Sequence, residues 1–206
     1  MSAAPPSTCP YRDAGRERTV TGMNLRTLTL FAATVTVGLT AGVFGLYAHT
    51  IMRGLGGTDD RTFVGAFQAI DRAIINPVFL LTFFGALVLT AVATAVHRGR
   101  PALAWIVVAG VLYLAVVVIT MAVNVPLNDA IKAAGDPDRV ADLAAVRANF
   151  DEARWIAWNL VRTVATTVAF GCLAWALVLH GRATLTAAGP ADRGQSQHVI
   201  ATGTKG

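Results

Sequence analysis

A chain of 206 residues with 54% hydrophobic and only 14% charged residues lies outside the range of water-soluble domains, which carry about a quarter charged residues. The net charge of +5 sits in short patches beside apolar stretches and forms no long basic run, which argues against nucleic acid as a partner. Cys9 precedes the first apolar stretch and Cys172 lies inside the last, so neither a disulfide nor a CxxC redox or zinc pair is expected.

Residues 1–22 are rich in Pro, Ser, Thr and charge. They read as a disordered tail, with Met23 an alternative start to Met1. Helix one runs from about Leu25 to Met52, too long and too uniformly apolar for a cleaved signal region of about 7 to 15 residues. Gly56 and Gly57 make a turn, after which Asp59 or Asp60 caps a second helix through Phe63, Phe67, Ile70 and Ile74. Pro77 removes a backbone donor, which predicts a kink near Asn76. This helix ends near Val96, before His97, Arg98, Gly99, Arg100 and Pro101.

Helix three spans about Ala102 to Val123, and Pro126 predicts a second kink or an early end. Gly135, Asp136 and Pro137 punctuate the chain, and Val140, Leu143 and Val146 then recur at helical spacing, as in a short helix at the membrane surface. Asn149 and Glu152 have the spacing of a capping box opening helix four, which runs to about Leu179. Residues 183–206 read as a second polar tail. The expected fold is therefore all-α: an integral membrane four-helix bundle over residues 23–182, with kinked helices and a short interfacial helix between helices three and four. Arg12, Arg16, Arg18 and Arg26 precede helix one, Arg98 and Arg100 fill the second loop, and Arg182, Arg193 and Lys205 follow helix four. This bias places both termini in the cytoplasm, with the bundle in the cell membrane.

Four spans bring the end of helix one, the start of helix two, the end of helix three and the start of helix four to one side. There stand His49 and Arg53; Gln68, Asp71, Arg72 and Asn76; Asn124 and Asn128; and Trp155, Asn159 and Arg162. Gln68, Arg72 and Asn76 share a helical face by their spacing of four, as do Asn124 and Asn128. Trp155, Asn159 and Arg162 form one stripe on helix four. A charged residue about two turns into a membrane helix costs a few kcal/mol, so Arg162 is expected to turn inward and pair with Asn128, Asn159 or Asp71. The blander reading of this cluster is a polar clamp that satisfies carbonyls freed by Pro77 and Pro126. His49 has the chemistry of a general base or a metal ligand, or of an interfacial histidine without further role. His97 and His180 read as rings snorkelling at the opposite edge rather than as axial ligands of a haem. Gly38, Gly42 and Gly45 form a small-residue face for close helix packing, within the chain or in a homo-oligomer.

The blocks Gly65 to Phe79 (GAFQAIDRAIINPVF), Asn124 to Asn128 (NVPLN) and Trp155 to Arg162 (WIAWNLVR) resemble the anthrone-oxygenase-like family of small four-helix membrane proteins. The chain departs from the family's pattern at Arg53, where a proline is expected after Met52. The resemblance implies oxidation of a flat, apolar, anthrone-like or polyketide-type aromatic molecule by molecular oxygen, with the substrate entering from the membrane lipid. Under that reading His49 is the base, while Arg162, helped by Asn128 and Asn159, stabilises the oxyanion. Gln68, Asn76, Asn124, Trp155 and Trp158 contact the substrate. No organic cofactor is called for, and a metal, if present, would be held by His49. The competing expectation is a non-enzymatic membrane protein that binds lipid or a quinone, or scaffolds a partner through the Gly38 and Gly42 face.

Overall fold

The computed structural model describes residues 24–188 and is entirely helical across them. The expected tail at residues 1–22, with Cys9, lies outside the described residues, as does the later part of the tail expected over 183–206. The helices are α1 (Leu25–Leu46), α2 (Met52–Gly56), α3 (Asp60–Ile74), α4 (Pro77–Val96), α5 (Leu103–Ile119), α6 (Val125–Ala133), α7 (Leu143–Phe150) and α8 (Glu152–Ala188). Four continuous rods are long and apolar enough to cross a membrane: Leu25–Gly56, Pro77–Val96, Leu103–Ala133 and Leu143–Thr186. The protein is thus a membrane helical bundle.

The rods form a ring in which α1 packs on α4 and α8, and α5 on α8; the seam between α4 and α5 is looser. Inward residues are mostly small: Ala33, Ala86, Ala93, Ala109, Ala169 and Ala176 are fully buried and allow close backbone approach. Leu39, Val88, Val111, Leu114, Val118 and Val164 point outward, as they must where the solvent is hydrocarbon. A Cβ on Gly38 would stand 2.9 Å from the Phe170 ring, so this glycine serves packing of α1 on α8 within the chain. Nothing stands within 4 Å of a Cβ on Gly42.

A second layer caps one end. Helix α3 is amphipathic: Phe63, Val64 and Phe67 are buried, while Arg61, Thr62 and Arg72 are exposed. These apolar residues join Met52, Ile131, Phe150 and Trp155 in a core separate from that of the ring. Each fully buried aromatic there contributes about 1.5–3 kcal/mol. Asp59 caps α3, accepting from the Thr62 amide at 3.0 Å and the Thr62 hydroxyl at 2.6 Å. Those bonds, the hydroxyl's foremost, hold the Asp59 carboxyl below the usual carboxylate range. Arg147 ties the layer together, reaching Glu152 at 2.9 Å, Asp60 at 3.1 Å and the Thr58 carbonyl at 3.0 Å, and lying over the Phe63 ring.

Several local expectations change. The chain around Pro77 is broken, not kinked: Ile75 leaves helical geometry at φ −78° and ψ 69°, and Asn76 starts a new helix by accepting from the Phe79 amide at 3.0 Å. Pro77, in the first turn of α4, sits where its missing donor costs nothing. Pro126 neither ends nor sharply kinks its rod; a π-helical turn at Thr120–Asn124 precedes it and α6 continues to Ala133. A matching π-turn at Tyr47–Ile51 joins α1 to α2, so the first rod extends to Gly56. Asn149 lies inside α7 and caps nothing; Asp151, in left-handed geometry at φ 52°, accepts from the Arg154 amide at the start of α8. Helix α8 runs to Ala188, beyond the end expected near Leu179.

Candidate functional site

A cavity of about 270 Å³ lies where the ring meets the cap layer. Its inner wall is aromatic, with Phe44 from α1, Tyr47 from the first π-turn, Phe67 from α3, Phe79 and Phe83 from α4, and Trp155 from α8. The outer rim is formed by Ile75, Leu80, Phe84 and Met121, all exposed on the α4 and α5 side. The cavity therefore opens through the loosest seam of the ring toward the face that lipid covers.

Two polar groups interrupt the apolar lining. The first is Arg162, only 4% exposed. Its Nη2 donates to Asn159 Oδ1 at 2.9 Å and its Nη1 to Thr120 Oγ1 at 3.2 Å. Asn159 is itself anchored, its Nδ2 donating to the Phe44 carbonyl at 3.2 Å. The guanidinium lies 4.4 Å from the Phe44 ring centre and 5.6 Å from that of Trp155. Ring faces supply some negative potential, but no carboxylate of the described residues reaches Arg162, and its Nε is buried with no acceptor. A buried cation with an unfilled donor is costly, and it favours a ligand that brings an oxygen.

The second is a chain of side chains linking α8, α6 and α3. Trp155 Nε1 donates to Asn128 Oδ1 at 2.7 Å, and Asn128 Nδ2 donates to Asp71 Oδ1 at 2.6 Å. The other Asp71 oxygen stands 2.9 Å from Lys132 Nζ, and Lys132 also pairs with Asp129 at 3.0 Å. Exposure of these side chains rises from 6% at Asp71 through 26% at Lys132 to 62% at Asp129. The network therefore begins in the cavity and ends at the surface.

Of the residues expected to form the site, Arg162, Asn128 and Trp155 line this cavity. Asn159 stands behind it and positions Arg162. Asn124, 1% exposed, also lies behind, its Nδ2 donating to the Trp155 carbonyl at 3.4 Å and its Oδ1 without a partner. Arg162 pairs with neither Asn128 nor Asp71. Gln68 straps α3 to α6 through the carbonyls of Ile131 at 2.8 Å and Gly135 at 3.0 Å, and Asn76 is the α4 cap; neither lines the cavity. Trp158 faces outward. His49 is exposed on the far side of its π-turn from Tyr47, and its Nδ1 contacts only the neighbouring Thr50 hydroxyl at 2.6 Å. It is not brought to the cavity, and among the described residues no three His, Cys, Asp or Glu side chains gather as metal ligands. His97 does not snorkel; it is fully buried, with Nδ1 2.8 Å from the Ala93 carbonyl.

Sequence reasoning missed Lys132 and Thr120, although Thr120, Asn124, Asn128 and Lys132 follow one another at spacings of four. It also missed Tyr47 and Phe44, whose aromatic rings carry no distinguishing signal in an apolar helix. Residues 63–172 match the anthrone oxygenase family, a stretch that contains all three sequence blocks named above. No curated protein and no solved structure matches the chain.

Proposed function

Because the chain belongs to the anthrone oxygenase family, we propose that the cavity takes a flat phenolic ketone of the anthrone type from the membrane and oxidises its methylene carbon with molecular oxygen. The observation that carries this reading is the buried Arg162 guanidinium, which lines an otherwise aromatic cavity and has a donor to spare. A ketone oxygen placed there gains charge when the neighbouring methylene loses a proton, and a preorganised donor in a dry site stabilises that charge strongly.

Asp71, not His49, is the base in this proposal. It is the carboxylate in the cavity wall, and a positioned base contributes about 10²–10⁴-fold. The methylene proton moves to Asp71 and passes by way of Lys132 toward Asp129 at the surface. The resulting enolate gives an electron to oxygen, and recombination of the radical pair places a hydroperoxide on the former methylene carbon. Loss of water then leaves a quinone. One anthrone and one dioxygen give one anthraquinone and one water, so atoms and electrons balance. The rings of Phe44, Phe83 and Trp155 hold the planar substrate by offset or edge contacts, and the Ile75, Leu80, Phe84 and Met121 rim admits it from lipid.

The test is oxygen uptake and quinone formation by the purified full-length protein in lipid nanodiscs, with an anthrone as substrate. Uptake that greatly exceeds spontaneous oxidation and collapses in Arg162→Leu and Asp71→Asn supports the proposal. Saturable binding of an anthrone or a quinone without turnover would favour the binding-protein reading of the same cavity.

A further inference from the structure

At the other end of the bundle, a hollow of about 140 Å³ lies between the start of α1, the loop joining α4 to α5, and the last turns of α8. Arg26, Arg100, His180 and Thr184 line it, with Leu179 as an apolar wall. Arg26 is fixed by donation from Nε to the Val96 carbonyl at 2.8 Å. This leaves its two terminal nitrogens for another acceptor. The His180 ring is held by Thr27, whose hydroxyl lies 3.0 Å from Nε2, and by the buried His97 ring at 5.2 Å. Among the described residues, every Asp and Glu falls within 59–71 or 129–152, at the opposite end. The two guanidiniums therefore face no described acid.

A second observation lies deeper along the α5–α8 seam. Trp105 and Trp175 meet edge to face at 6.5 Å, both 43% exposed on the outer surface, and Arg182 stands 5.8 Å over the Trp175 ring. Indoles at such a position mark the headgroup level of a bilayer. Cationic pockets between membrane helices at that level suit phosphate headgroups. We propose that this hollow seats the phosphate of an anionic phospholipid between Arg26 and Arg100, with its acyl chains running down the α5–α8 seam over Trp105 and Trp175. A headgroup with no net charge would leave both guanidiniums uncompensated, and a free phosphate would make no use of the indoles.

Native mass spectrometry of the full-length protein, offered equal amounts of phosphatidylglycerol and phosphatidylcholine in mixed micelles, tests this. The wild type should retain phosphatidylglycerol in preference, and Arg26→Gln combined with Arg100→Gln should lower that preference about tenfold. If the double variant does not fold, Arg100→Gln alone, on an exposed loop, should lower it a few-fold. Arg61→Gln, at the acidic end, should leave the preference unchanged. Equal retention of both lipids by the wild type, an unaltered preference in the arginine variants, or displacement of the lipid by an equal concentration of inorganic phosphate would each overturn the assignment.

Discussion

Where α1 begins and α8 ends, the ring closes on alanines and leucines, a histidine is fully enclosed, and the described charges are all basic. At the opposite end the same four rods part around a cavity, two of them loosened by π-turns, and a layer of short helices carries every described acid. The first end is stabilised by close packing of small side chains. The second gives up such packing for buried polar groups, and these hold their places only because each is tied to a neighbour: Arg162 to Asn159 and Thr120, Asp71 to Asn128 and Lys132. Strain and polarity are concentrated at one end, while the other serves as a rigid base. Functional sites are commonly drawn from the less well packed part of a fold.

The sharpest way to break this comparison is at Asp71. Asp71→Asn keeps the size of the side chain and its bond to Asn128 but removes the proposed base, so the rate of quinone formation should fall by roughly 10²–10⁴-fold, with helical content by circular dichroism retained. Arg162→Leu should lower the same rate by about 10²–10³-fold. Because it also removes a buried cation, its thermal midpoint should stay level or rise; a retained rate would remove Arg162 from the chemistry. A smaller, purely structural effect is expected at the junction between layer and ring. Asn76→Ala deletes the α4 cap and should destabilise the protein by about 1 kcal/mol, read as a lower midpoint of thermal unfolding in detergent. Smallest of all, His49→Gln should leave turnover within error of the wild type, because the ring points away from the cavity. A large loss there would reinstate His49 and undo the assignment of Asp71.

The ring was legible because long apolar runs have few structural options in lipid, and the charged punctuation at Gly56–Asp60, His97–Pro101 and Gly135–Pro137 marked its turns. Helical spacing likewise placed Arg162, Asn128 and Trp155 around one space. Asn159 was placed correctly on the Arg162 stripe, as its anchor and not as part of the lining. The errors have identifiable causes. His49 and Tyr47 share one turn, and apolar flanks gave no sign of which would face inward. Gln68 and Asn76 were read as contacts for a ligand, yet backbone carbonyls of α6 and the amides opening α4 compete for the same side chains and win. Asn149 and Asp151 both have cap chemistry, and the left-handed geometry that decides between them arises from how α7 folds back onto α3. Prolines announced disturbances near residues 77 and 126, but composition did not distinguish a break from a widened turn.

The two π-turns are separable units. Each holds one residue more than the α-helix needs, so deleting a single residue from Tyr47–Ile51 or Thr120–Asn124 would restore regular winding and rotate the remainder of that rod by about 100°. Tyr47 and Thr120 owe their inward aim to that surplus residue. Insertions and deletions of length one at these positions are thus a route by which relatives of this chain can redraw the cavity wall while leaving the membrane-spanning frame intact.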